Sequence, residues 1–411
     1  MANIDIFSEL KIHTSLPALQ NRLVKSAMSE QLAEPDGNPS SGLATLYSCW
    51  SEGGTSLLIT GNVMIDRTAL GEPKNVVLDS RSDLDTFANW AHAGQKNGNQ
   101  IWMQLNHPGK QSPAFLSQKP VAPSAVPLAG PLAAAFNAPR TLEAGEIKQI
   151  IQAFANAAAY AKECGFHGVQ IHGAHGYLVS QFFSRKQNLR TDDWGGSAEN
   201  RRRFAIEIYR SIREKVGADF GIGIKLNSAD FQKGGFTEEE SLQVAEALAD
   251  EGIDLLEISG GNYEKPAMMG DKVKKSTIAR EAYFIDFAQK LRKHVKTNLL
   301  LTGGFRSYRG MQYALDQNAC DLIGLARPLA LLPDLPKKLR NNLQFELTLP
   351  EISTGLEFLD TASMLPITWY EHQLELMAQG KETDVGLNPW WSMVKTFFNL
   401  GANAFTPRRP S

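Results

Sequence analysis

Short apolar or β-branched runs recur along the chain at Arg22–Ser26, Leu57–Thr60, Gln100–Leu105, Gly168–Ile171, Gly221–Leu226, Leu255–Ser259, Leu299–Thr302 and Leu322–Leu325. Runs this short, rich in Val, Ile and Leu, suit fully buried strands. Between them apolar residues return at helical spacing, most plainly over Glu146–Glu163, Glu199–Val216 and Glu238–Glu251. Thr237 with Glu240 three residues on forms a capping box that predicts where the last of these helices starts.

Eight strands alternating with helices predict an α/β fold, a parallel (β/α)8 TIM barrel rather than a doubly wound sheet. Loops that follow the strands of such a barrel lie on its active face. The widest gap separates the runs starting at Gln100 and Gly168, so a long loop insertion is expected after strand 3, over 106–140. Its sequence, KQSPAFLSQKPVAPSAVPLAGPLAAAFNAPR from Lys110, is rich in proline and alanine without a helical period. An inert surface excursion would satisfy that composition, but its place on the active face favours a lid. Residues 1–340 are read as the barrel domain and 341–411 as a C-terminal extension. In the extension, Trp390, Trp391, Val394, Phe397 and Phe398 form an apolar stripe, expected to cover the chain's own barrel or, failing that, a subunit interface in a homo-oligomer.

With 411 residues, 43% of them hydrophobic and 21% charged, the chain can bury a full barrel core and still leave an extension. Its 42 basic and 44 acidic residues leave a formal charge of −2. Without an extended basic block this argues against nucleic acid or an anionic membrane as partner, and for a small-molecule substrate. Cys49, Cys164 and Cys320 are too dispersed for a redox or zinc motif and too few for a disulfide framework, so a reducing cytoplasm is expected. The first residues, MANIDIFSELKIHTSL, have neither a basic nor an apolar targeting segment.

Candidate chemistry is densest from Gly168 to Phe204, GVQIHGAHGYLVSQFFSRKQNLRTDDWGGSAENRRRF. His172, His175 and Tyr177 stand where a buried strand gives way to a turn. Two imidazoles can hold a carbonyl oxygen and withdraw charge from it, while a phenol can deliver a proton to an adjacent carbon. No nucleophile accompanies them: there is no GxSxG elbow, and Cys164 precedes the strand. Structural histidines with a core tyrosine are the bland alternative. A metal bound by His172 and His175 with Asp192 or Asp193 lacks a specific ligand spacing.

Two further features stand out. Lys225 lies within the apolar run GIGIKLNSAD, and a buried lysine calls for a partner or a function, such as a Schiff-base nucleophile in an aldolase-type barrel. Barrels also handle phosphate after strands 7 and 8. There LLLTGGF supplies Gly303 and Gly304, and DLIGLARPL supplies Ala326 and Arg327.

The block HGAHGYLVSQFFS, followed by N-L-RTDDWGGSAENRRRF, resembles the signature of the Old Yellow Enzyme family, flavin-dependent ene-reductases built on a TIM barrel. The resemblance runs from about Asn21 to Pro328. It implies noncovalent FMN, hydride from NADH or NADPH, and reduction of an activated C=C bond in an α,β-unsaturated carbonyl compound. His172 and His175 would bind the activating oxygen, and Tyr177 would protonate the α-carbon. By the same resemblance Ser26, Ala27, Met28 and Ser29 line the flavin, Gly61 keeps space beside the ring and Gln104 meets its pyrimidine edge. Lys225 would then be a cation beside flavin N1 and O2, where the family often has arginine.

Departures are Ser29 for a threonine or cysteine, Arg185 for a common proline, Trp194 for a tyrosine, and Gln31 near a position that is aromatic in some members. His107 is read as structural. The chain has no GxGxxG fingerprint, which suits a nicotinamide that visits the flavin rather than occupying its own domain. It also lacks the cysteine cluster of iron–sulfur relatives. A noncatalytic flavin-binding protein is the remaining alternative.

Overall fold

The computed structural model describes residues 4–130, 132–260 and 281–404. Eight parallel strands close on themselves: β1 (Leu23–Lys25), β2 (Leu57–Ile59), β3 (Gln100–Asn106), β4 (Gly168–Gly173), β5 (Gly221–Asn227), β6 (Leu255–Ser259), β7 (Asn298–Thr302) and β8 (Leu322–Leu325). Each pairs with the next, and β8 returns to β1 with Leu23 opposite Ile323. The (β/α)8 barrel read from the sequence is therefore the fold, with strand ends within two residues of those expected.

Strand alternation sorts the residues into an outer and an inner set. Outward residues such as Leu23, Met103, Val169 and Ile222 join the large core beneath the helices. Inward ones, Val24, Leu57, Trp102, Leu255, Leu300 and Leu322, form a separate apolar floor, plugged from below by Ile12, Leu16 and Leu19. Trp102 fills much of this floor. A Cβ at Gly168 would meet its ring at 2.7 Å and one at Gly223 at 3.2 Å, and Gly221 faces the same indole. One interior tryptophan thus accounts for three glycines on neighbouring strands.

Outside the barrel the helices form largely where expected. Ala144–Glu163 packs against Ala198–Val216, and Thr237 and Glu240 make the reciprocal capping box at the head of Glu238–Asp250. In the extension, helix Leu365–Ala378 packs on helix Ser41–Glu52 and sends Leu365, Trp369, Leu374 and Met377 into the main core.

The apolar stripe does not meet the first of its two expectations, that it cover the chain's own barrel. Trp390, Trp391, Val394, Phe397 and Phe398 on helix Pro389–Ala404 are exposed, from 43% to 74%, and do not cover the barrel. That helix docks instead through Ser392 and Met393, with Lys395 bonding Glu375 at 2.5 Å. Spacing shows that a face is apolar but not what lies against it. Among the described residues no helix is long and apolar enough to cross a membrane.

Candidate active site

Strand β4 delivers His172 inward, and the chain then turns sharply. His175 and Gly176 both take left-handed backbone angles, φ +60° and +80°, and Tyr177 precedes the first turn of helix Leu178–Phe183. Asn227 accepts the His175 backbone N–H at 3.2 Å, holding a conformation that a non-glycine residue seldom adopts. The turn brings the three rings together. The His172 ring centroid lies 5.2 Å from that of His175 and 4.8 Å from that of Tyr177, both edge-on.

His172 is buried and His175 half-buried, and their surroundings favour the neutral form of both rings. Burial holds His172 well below the usual histidine range, helped by His175 and by the Lys225 ammonium. Burial, then Lys225, lowers His175 to about 3. His172 Nδ1 accepts the Ala174 N–H at 3.3 Å, so in the neutral ring Nε2 carries the proton. His175 Nε2 bonds the Ser259 hydroxyl at 2.8 Å, which leaves Nδ1 as its remaining nitrogen.

Above the apolar floor the barrel interior becomes polar, through residues two further along the same strands. Gln104 donates to Gln170 at 2.7 Å, and Gln170 donates to Glu257 at 2.7 Å. Thr302 also donates to Glu257, at 2.7 Å, and bonds Ser26 at 2.8 Å. Lys225 stands 3.0 Å from Glu257, both side chains buried. Glu257, which the sequence reading passed over, is the partner that the buried lysine requires. An ammonium held by a carboxylate suits the reading of Lys225 as a fixed cation better than that of a free-amine nucleophile.

A cavity of about 220 Å³, open to solvent, sits on this polar layer. Its wall includes Ala27, Met28, Ser29, Gln104, His172, His175, Tyr177, Lys225, Ala326 and Arg327, so ten of the residues singled out in the sequence converge there. Four others lie outside the wall. Ser26 is turned to Thr302. Gly61 donates to the Tyr47 hydroxyl at 3.0 Å, and a Cβ there would meet the Met28 carbonyl at 2.7 Å, so backbone crowding explains its small size. Gly303 and Gly304 have φ of +139° and +87°, and a Cβ on Gly304 would meet the Tyr283 ring at 2.5 Å.

His107 accepts the Gly109 N–H at 3.0 Å, and burial lowers it to about 4. Asp192 is bound to Arg190 on the surface, and among the described residues no group of His, Cys, Asp or Glu is arranged to hold a metal.

Among the described residues, no side chain from 106–140 lines the cavity wall. That segment touches the site from behind, where Gln111 donates to the His175 carbonyl at 3.1 Å. Pro366, Ile367, Tyr370, Glu371 and Leu374 of the C-terminal extension supply the remaining wall, together with Asn62 and Glu72. Nothing in the local sequence marks these residues. Gln31 donates to Glu371 at 2.7 Å, one of the contacts that link the extension to the segment after β1.

The profile of the family described as NADH:flavin oxidoreductase / NADH oxidase matches residues 5–346. An NADH-dependent flavin oxidoreductase from Hypocrea jecorina is 38% identical over 364 residues, covering 81% of this chain and 90% of its own. Among solved structures, morphinone reductase in complex with tetrahydroNAD superposes with a TM-score of 0.69 at 27% identity, over 83% of this chain and 92% of that one. An old yellow enzyme homologue from Zymomonas mobilis shares the fold, with a TM-score of 0.71 at 24% identity over 83% and 94% of the two chains.

Proposed function

This chain belongs to the NADH:flavin oxidoreductase / NADH oxidase family and is an FMN-dependent NAD(P)H oxidoreductase of the Old Yellow Enzyme type; from that premise we propose that it reduces the activated C=C bond of an α,β-unsaturated carbonyl compound. The observation that carries this reading is the cluster of His172, His175 and Tyr177 on the wall of a cavity that also holds Gln104 and Lys225.

The residues present fit FMN. Gln104 spends one amide N–H on Gln170, and its carbonyl and second N–H can match the alternating donors and acceptors of a flavin pyrimidine edge. Lys225, held by Glu257, would stand where negative charge develops on the reduced ring. Ala27 and Met28 offer apolar contact, and Arg327 a cation for the phosphate. Bound FMN supplies the hydride-transfer chemistry.

The protein's own groups do the rest. His172 presents Nε2–H to the substrate carbonyl. His175 presents Nδ1–H when Ser259 donates to its Nε2. Two neutral donors polarise the oxygen and leave no charged imidazole to titrate near neutrality. Tyr177, beside His172, holds the proton destined for the α-carbon.

Purified protein should be yellow, bleach on anaerobic addition of NADH or NADPH, and recover its colour on addition of a cyclic enone. Bleaching without recovery would reject the ene-reductase reading and leave the flavin oxidoreductase intact.

A further inference from the structure

The cavity wall carries a second polar centre that the proposed chemistry does not use. Glu72 and Glu371 both line it, at 8% and 9% exposure, and Ser29 stands beside both. The Ser29 hydroxyl donates to Glu72 Oε2 at 2.7 Å, and Asn75 donates to the same oxygen at 3.1 Å. Gln31 donates to Glu371 Oε2 at 2.7 Å. Every one of these donors reaches an Oε2. Glu371 Oε1 is fully buried and, among the described residues, has no hydrogen-bond partner. A buried carboxyl oxygen without a partner is costly and asks for a donor from elsewhere.

We propose that Glu72 and Glu371 form a specificity subsite for a protonated amine, so that the preferred substrates carry a basic nitrogen within reach of the carboxyl pair while their carbonyl sits on His172 and His175. The proposal rests on the cavity being the substrate site. Three features select a cation over a neutral donor. The surrounding side chains that reach the pair, from Ser29, Asn75 and Gln31, arrange it as an acceptor. Two adjacent carboxyls repel each other when ionised, and a shared cation relieves both, whereas a hydroxyl would satisfy only Oε1. Burial chiefly, and then Glu72, raises Glu371 to about 8 while Ser29 and Gln31 oppose the rise, and a cation bound at the pair would favour its ionised form. The remaining wall from the extension, Pro366, Ile367 and Leu374, is apolar and suits a hydrocarbon frame joining the two polar ends.

The test uses oxidised holoenzyme and three cyclohexenones that differ in one substituent: aminomethyl, hydroxymethyl or ethyl. Binding is read from the perturbation of the flavin absorbance and needs no turnover, so failure to reduce an enone would not be confused with failure of the subsite. Wild type should bind the aminomethyl compound about 10- to 100-fold more tightly than the ethyl compound, the range for a charge-assisted hydrogen bond. In Glu371→Gln and, separately, Glu72→Gln that ratio should fall towards unity, while Glu371→Asp should keep part of it. Because each ratio is taken within one variant, a general loss of stability or of flavin affects both ligands alike. Equal binding of the two by wild type, a preference for the hydroxymethyl compound, or an unchanged ratio in both Gln variants would overturn the proposal.

Discussion

Lys225 and Glu257 face each other directly in the register of β5 and β6, with Nζ 3.0 Å from Oε1, and Glu257 also gathers Gln170 and Thr302. One carboxylate thus ties together the residue expected beside the flavin ring and the amide chain that begins at Gln104.

Removing only the lysine strands that carboxylate. Lys225→Met should destabilise the fold by about 3–5 kcal/mol, the cost of leaving a buried charge unpaired, and should weaken flavin retention. Lys225→Met combined with Glu257→Gln should recover much of the stability without recovering the rate of flavin reduction. Thermal melts and the visible spectrum report the two effects separately. Recovery of both would make Lys225 a structural residue.

Tyr177→Phe keeps the ring that packs on His172 and removes only the hydroxyl. Reduction of the flavin by NADH should proceed at close to the wild-type rate. Reoxidation by a cyclic enone should slow by about 10²- to 10⁴-fold, the range for general acid catalysis. Stopped-flow measurement of the two half-reactions decides it, and equal slowing of both would remove Tyr177 from the role of proton donor.

His175 is lowered to about 3 by burial and then by Lys225, against an unfolded value near 6.5. Below pH 6.5 the unfolded chain takes up a proton that the folded imidazole refuses, so stability is full above that pH and is lost as the pH falls towards 3. Each unit in that window costs about 1.4 kcal/mol for this residue. In denaturant titrations of holoenzyme at pH 7 and pH 5, His175→Gln should lose less stability than wild type. Equal losses would mean that the folded imidazole titrates normally.

Gly221 faces the Trp102 indole across the barrel floor. Gly221→Ala should cost about 1–3 kcal/mol through overpacking, and adding Trp102→Phe should return part of it. Additive losses in the double variant would show that the two sites do not share a contact.

Much of the site was legible because it is local. His172, His175 and Tyr177 lie within six residues, and the turn that joins their rings needs only the left-handed angles at His175 and Gly176. Lys225 was legible as an anomaly within an apolar run, but its partner was not, since Glu257 reads as an ordinary polar residue in a strand. Ser26 and Gly61 occupy the strand ends expected of them yet answer to Thr302 and to the Met28 backbone rather than to the cavity.

The sequence by itself determined the eight strands, the capped helices between them and the histidine–tyrosine turn, since each depends on periodicity or turn chemistry within a few residues. Tertiary structure alone decided that Gln104, Gln170, Glu257 and Thr302 share one layer, that Glu72 and Glu371 line the same cavity, and that the apolar stripe of 390–398 faces outward. Barrel closure brings together inward positions from strands far apart in the chain, and a local pattern carries no record of which distant residue will stand opposite.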